Sequence, residues 1–215
     1  MMKLVYLLLI ILFLYGINLY LNNEFIATES KIFEFIAKDY PSEVANNYIE
    51  NQKKYWWFSY VFMPLLICIK VLLVAFCLNF IKLFDLPGLE KVEYKDFVFI
   101  VLLAEFIFII AGLHKFVNFY WLQTDYTLED LQTYYPISLI NLRDYISEEK
   151  WLAYPLQLVN LFELFYWGFL AWGITELSDN KVKFGKSFGL VALTYGAGLL
   201  FWVGVVSFLI LNAQY

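Results

Sequence analysis

The sequence predicts an all-helical integral membrane protein with five transmembrane helices and two amphipathic helical segments on the extracytoplasmic side. Two observations carry that expectation. Of 215 residues, 62% are hydrophobic and 16% charged, where a soluble domain has about half and about a quarter. The hydrophobic residues also cluster into five runs that approach or exceed the roughly 18 residues needed to cross a bilayer core of about 30 Å. The mean hydropathy of +0.64 agrees. The five runs fall at 4–21, 57–81, 97–118, 155–176 and 187–211, within one membrane domain over 1–215.

The first run opens with Lys3 and continues as YGINLYLNNEF, without the small-residue cleavage site that ends a signal peptide. It is expected to stay as an anchor. Residues 22–56 follow, too long and polar for a tight turn. Within them SKIFEFIAKDY places Ile32, Phe33, Phe35 and Ile36 along one side of a short helix broken at Tyr40-Pro41. Ser42 is then a candidate N-cap for the next stretch, which ends in the aromatic cluster YWWF. Residues 119–154 repeat the arrangement. Thr127 is a candidate N-cap with Asp130 three residues on, and the helix should stop before Pro136. Both segments suit helices lying on the membrane surface or packed on one another.

Charge asymmetry orients the chain. Lys82, Lys91 and Lys95 crowd one short connection, Lys181, Lys183 and Lys186 the other, and Lys3 belongs to the same side. The longer segments are acid-rich and dilute their positive charges. The positive-inside rule then favours a cytoplasmic amino terminus and an extracytoplasmic carboxyl terminus in a bacterial cytoplasmic (inner) membrane.

The formal charge of −5 argues against a nucleic-acid partner, which calls for clustered Lys and Arg. Cys68 and Cys77 share one hydrophobic run without CxxC spacing, so they suit buried apolar positions better than a disulfide or a metal site. Neither GxGxxG nor a P-loop occurs, and there is one histidine. No catalytic residue, metal ligand or cofactor is expected.

Four ionisable residues do fall at membrane depth: Lys70 in the second run, Glu105 and His114 in the third, and Glu163 in the fourth. Each costs at least about 2.5 kcal/mol there, so each should face the bundle interior and find a partner. At about 1.5 Å per residue, Lys70 lies roughly 18 Å from the boundary at Lys82 and Glu105 roughly 14 Å from that at Asp96. Antiparallel neighbours at similar depth should pair, so a Lys70–Glu105 pair is expected. Glu163 and His114 lie higher, at roughly 24 and 27 Å, and could pair in the outer third. Asn160, one turn before Glu163, adds a hydrogen-bonding group, and Trp167 continues that face. Spans two, three and four would thus share a polar seam. Paired charges can fix helix register; intramembrane carboxylates also line routes for protons or polar substrates.

In the fifth run Gly185, Gly189, Ala192 and Gly196 form a small-residue stripe suited to close helix packing. In the outer segments Phe33, Phe35, Trp56, Trp57, Tyr134, Tyr135 and Trp151 are large aromatic anchors, suited to a partner interface or equally to the headgroup belt.

The stretch YPLQLVNLFELFYWGFLAWGITE, its short basic loop, and SFGLVALTYGAGLLFWVGVVSFLIL resemble spans four and five of Yip1-like membrane proteins. That resemblance implies five helical spans without catalytic residues and a connection with membrane traffic in eukaryotic members. The long outer segments and short amino terminus depart from the family. The whole chain is also similar to small inner-membrane proteins of Bacteroidetes sometimes labelled sulfate-transporter permeases. The sequence favours a non-enzymatic subunit or scaffold of a bacterial envelope complex, with the lipid bilayer and other membrane or envelope proteins as partners. The alternative is a small transporter or proton-coupled subunit using the buried Lys/Glu/His seam.

The orientation is testable with topology reporters. One fused at residue 215 is expected to read as extracytoplasmic and one inside 179–186 as cytoplasmic. The opposite result at both sites would invert the molecule in its membrane.

Overall fold

The computed structural model describes residues 2–142 and 150–213, and these are helical with no strand among them. Nine α-helices follow in chain order: α1 Met2–Phe25, α2 Glu29–Ala37, α3 Ser42–Asn79, α4 Tyr94–Val117, α5 Leu128–Thr133, α6 Lys150–Leu158, α7 Leu161–Leu177, α8 Phe184–Val191 and α9 Ala197–Ala213. Short 3₁₀ turns at Phe80–Phe84 and Leu139–Leu142 and π turns at Asn118–Leu122 and Ala192–Gly196 complete the path. Four continuous runs are long and apolar enough to cross a membrane: Met2–Phe25, Ser42–Phe84, Tyr94–Leu122 and Phe184–Asn212.

Helix α4 is the axis of the bundle. It packs against α1, α3 and α7, and nine of its residues are buried, Glu105 among them. Its start is fixed by a capping box, in which Glu93 and Asp96 satisfy each other's backbone N–H groups. Beside it, the Lys95 ammonium holds the exposed Glu93 carboxyl below its ordinary range. The core runs from Ile11 through Val71, Ala75 and Leu78 to Val101, Tyr166, Leu170 and Ile174.

Close backbone approach occurs at particular glycines. A Cβ on Gly112 would lie 2.2 Å from the Asn18 side chain, and one on Gly173 would lie 2.5 Å from Ile100. Gly196 meets the Trp167 ring and Gly198 the Cys77 sulfur in the same way. The predicted stripe divides instead. Nothing lies within 4 Å of a Cβ on Gly185 or Gly189, Ala192 is half-buried, and only Gly196 is tightly packed. The π turn at Ala192–Gly196 shifts the helical phase, so residues spaced for one face of a straight helix do not share one.

Two further expectations change. The segment beginning at Ser42 is not a separate surface helix, because α3 runs without interruption to Asn79. Ser42 is its first helical residue, after Pro41, and makes no side-chain cap. With no helix breaker between Ser42 and Trp57, the helix continues outward past the apolar run. Helix α2 packs along this extension, and Lys53 pairs with Glu29 across the two. The expected fourth run at 155–176 is also broken, with α6 ending at Leu158 and α7 beginning at Leu161. Asn160 causes the break: its side-chain oxygen accepts from the Glu163 backbone N–H, which caps a new helix. The chain from Ile137 to Leu139 fills the gap, with Leu139 N–H donating to Val159 O and Leu161 N–H to Ile137 O. Ile137 is held there at φ 48°, a costly conformation for a β-branched residue.

Both short loops lie at the same end of the bundle. Gly88, at φ 87°, sits so close to the Ser178 carbonyl and Lys181 that no side chain could fit. At the other end Ile26, Phe119, Tyr126 and Leu131 form a second small core. Tyr126 donates its hydroxyl to Ile26 O, and Lys31 donates to Tyr126 O while lying over the Tyr126 ring. The expected capping box at Thr127 and Asp130 is present, and α5 stops at Thr133, ahead of Pro136. Hydrogen bonds from Thr127 hold the Asp130 carboxyl below its ordinary range.

The glycines separate the two kinds of packing experimentally. Gly173→Ala is expected to lower the thermal stability of the purified protein by about 1–3 kcal/mol through overpacking against Ile100. Gly185→Ala should leave stability unchanged or raise it by up to about 1 kcal/mol, the helix preference of Ala over Gly. Equal losses at both positions would mean that α8 is packed as tightly as α7.

Candidate functional site

Helix α4 carries Glu105 into the centre of the bundle, where it is fully buried. Its carboxylate takes donors from three other helices. Lys70 of α3 lies 3.0 Å from each oxygen. The Tyr15 hydroxyl of α1 donates to Oε2 at 2.7 Å, and the Tyr166 hydroxyl of α7 reaches Oε1 at 3.4 Å. The expected Lys70–Glu105 pair is therefore formed, inside a larger cluster. Lys70 also lies 3.8 Å from the centre of the Phe108 ring and 5.4 Å from that of Tyr166. Aromatic faces attract a cation whose water has been removed. Its side chain keeps 38% of its surface accessible while Glu105 keeps none, so the ammonium comes to the carboxylate from the side of the bundle.

Glu163 forms a second polar centre in the first turn of α7. Its Oε1 accepts from the Tyr195 hydroxyl at 2.7 Å and from the Trp167 indole N–H at 2.9 Å. Tyr195 reaches it from the π turn, and the rings of Tyr166, Trp167 and Tyr195 pack edge to face around the carboxylate. The half-buried loop residue Tyr135 lies near enough to feel its charge. Burial, together with the charges of Glu163 and Glu105, pushes its hydroxyl up to about 12.

The predicted His114–Glu163 pair is not formed. His114 turns its ring toward Phe162 at 6.1 Å between centroids, and its Nδ1 has no hydrogen-bond partner. Glu163 takes its donors instead from Trp167, one turn along its own helix, and from Tyr195 opposite. Asn160 contributes as an N-cap and not as a ligand to the seam.

The aromatic residues divide by depth. Trp56 and Trp57 on α3 and Trp121 in the π turn after α4 are exposed. They stand about 20 and about 24 Å above Lys70 and Glu105 along the chain. Phe33, Phe35 and Trp151 are half-buried, as are Tyr134 and Tyr135, with the Tyr134 ring 5.0 Å from that of Phe119.

Tyr15, Asn18, Tyr166 and Tyr195 complete the polar interior and were not singled out in the sequence. Tyr15 and Asn18 could have been, as polar positions one turn apart inside an apolar run. Asn18 donates to Ile109 O across the α1–α4 contact. Tyr195 depends on the π turn, which leaves no signal in hydropathy.

No family model matches this chain, and no curated protein or solved structure matches it either. Fold and site together define a class: an all-helical protein with four helices long and apolar enough to cross a membrane, organised around buried carboxylates.

A double-mutant cycle tests the central pair. Lys70→Met leaves Glu105 its two phenol donors and the option of protonation, so the loss should be modest. Glu105→Gln strands an ammonium that can swing outward along its own stem. The double variant is expected to be more stable than the sum of the singles by about 0.5–3 kcal/mol, the coupling of groups in contact. Strict additivity in thermal unfolding would remove the pair as a stabilising contact.

Proposed function

We propose that this chain is a non-enzymatic, five-span subunit or scaffold of a bacterial inner-membrane or envelope complex. In this proposal α6 and α7 together make the fourth of the five crossings, with Asn160 at the joint. The amino terminus lies in the cytoplasm and the carboxyl terminus outside. The basic short loops meet at one end, which supports placing them on the same, cytoplasmic side. The α2–α3 and α5 segments then form a cap on the outer face.

The observation that carries the proposal is the outward extension of α3. From Ser42 to Trp56 the helix rises about 21 Å beyond the aromatic level. It packs against α2, with Ala45 buried and Ile49 half-buried, and leaves Val44, Tyr48 and Tyr55 exposed. A stiff helical pair standing off a membrane domain supports a role in holding another protein at a fixed distance from the bilayer. The Glu105 cluster supports it as well, since donors from α1, α3 and α7 converge on one carboxylate and favour a fixed bundle over a moving one. The permease alternative would need the polar interior to open to one side.

A photoreactive residue in place of Tyr48 tests the arm. In native membranes it is expected to give a discrete adduct with an envelope protein. The same residue at Phe201, on the exposed side of α9, should give lipid adducts only. Lipid adducts alone from Tyr48 would place the arm on the membrane and sink the proposal.

A further inference from the structure

Among the described residues two buried carboxylates, Glu105 and Glu163, share the bundle interior with one paired ammonium, Lys70. Lys70 belongs to Glu105, at 3.0 Å. Glu163 is 6% exposed, and among the described residues no Lys, Arg or His lies within ion-pair distance of it. Its two donors, Tyr195 and Trp167, both serve Oε1, and no donor among the described residues reaches Oε2. We propose that Glu163 is a proton-binding site at the outer end of the bundle, separate from the locked Glu105 cluster and exchanging with the outer aqueous phase.

The balance of charge carries the argument. A buried carboxylate without a cation costs several kcal/mol, and the usual remedy is to neutralise it. Protonation converts the carboxylate to a carboxylic acid, with the proton placed on the oxygen that lacks a donor. Opposing forces are present. The first turn of α7 favours a negative charge, and so do two hydrogen-bond donors, but none of these brings the opposite charge that a cation would.

Among the described residues nothing supplies a replacement cation. From α3 comes Lys70, whose charge is already balanced by Glu105 of α4. From α4 comes also His114, turned against the neighbouring Phe162. The other described groups that feel the Glu163 charge are phenols: Tyr166 on α7, Tyr195 on the π turn, Tyr154 on α6 and Tyr135 on the outer loop. Phenols can donate to a carboxylate but cannot neutralise it near pH 7. The distance for the proton is short, because Glu163 lies in the first turn of α7, at the end of that helix away from the short basic loops. This inference stands apart from the scaffold proposal and survives its failure.

The test is infrared difference spectroscopy of the full chain in lipid nanodiscs, between acidic and alkaline buffer. A protonated-carboxyl C=O band is expected in the acidic buffer and should be lost in the alkaline one. It should vanish in Glu163→Gln, persist in Glu105→Gln, and return at a displaced frequency in Glu163→Asp. Tyr195→Phe removes a donor to the ionised form and should tighten proton binding about tenfold, the effect of losing one charge-assisted hydrogen bond. A band that survives Glu163→Gln, or that disappears in Glu105→Gln alone, would overturn the assignment. So would the absence of any titrating band in a wild-type sample. Displacement of the band by sodium chloride but not by choline chloride would make the resident cation a metal ion and overturn the proton.

Discussion

Everything in this molecule is arranged around one carboxylate that has no water. Glu105 is completely buried, and a charge in that position is tolerable only if several groups converge on it. Three do, from three different helices, and each fixes a different degree of freedom. Lys70 sets the sliding register of α3 against α4, Tyr15 sets that of α1, and Tyr166 sets the rotation of α7. Apolar packing alone would not do this in lipid, where one hydrocarbon surface is much like another. A polar contact at the centre is directional, and it discriminates between registers that pack equally well.

That constraint explains where the glycines fall. Once the four helices are tied at Glu105, their axes must pass close on either side of it. Gly112 against Asn18 lies two turns outward of Glu105 on α4, and Gly173 against Ile100 lies two turns inward of Tyr166 on α7. Small residues are needed at these crossings. On α8, which Glu105 does not reach, Gly185 and Gly189 stay clear of any neighbour.

How much of this could be read in the sequence depended on whether a feature is local. The apolar runs, the Thr127–Asp130 capping box and the Lys70–Glu105 pair all follow from spacing and depth, which are local quantities. The His114–Glu163 pair did not form, because depth alone does not specify azimuth: Glu163 turns toward Trp167 and Tyr195, and His114 toward Phe162. The break at Asn160 leaves little trace in the sequence, where Asn160 is one more polar residue on a helix face. Its side chain in fact competes with the helix for a backbone N–H group. The continuity of α3 is hidden for the opposite reason. A change from apolar to polar composition at Trp56 marks a change of solvent, and the backbone need not follow it.

The π turn at Ala192–Gly196 gives the last helix a hidden phase. It holds one residue more than an α-helical path would need, and the wider turn absorbs the rotation of about 100° that an extra residue would otherwise impose. Downstream of it every residue stands one position later than a straight helix would place it. Gly198 against Cys77 and Trp202 against the Tyr154 hydroxyl therefore keep contacts that the numbering of an unbroken helix would give to their predecessors. Loss of a single residue inside the turn would let it close to an α-helix with α9 still facing the same way. Loss of one elsewhere in the span would turn α9 by more than a quarter of a circle, although a hydropathy profile would draw the two deletions alike.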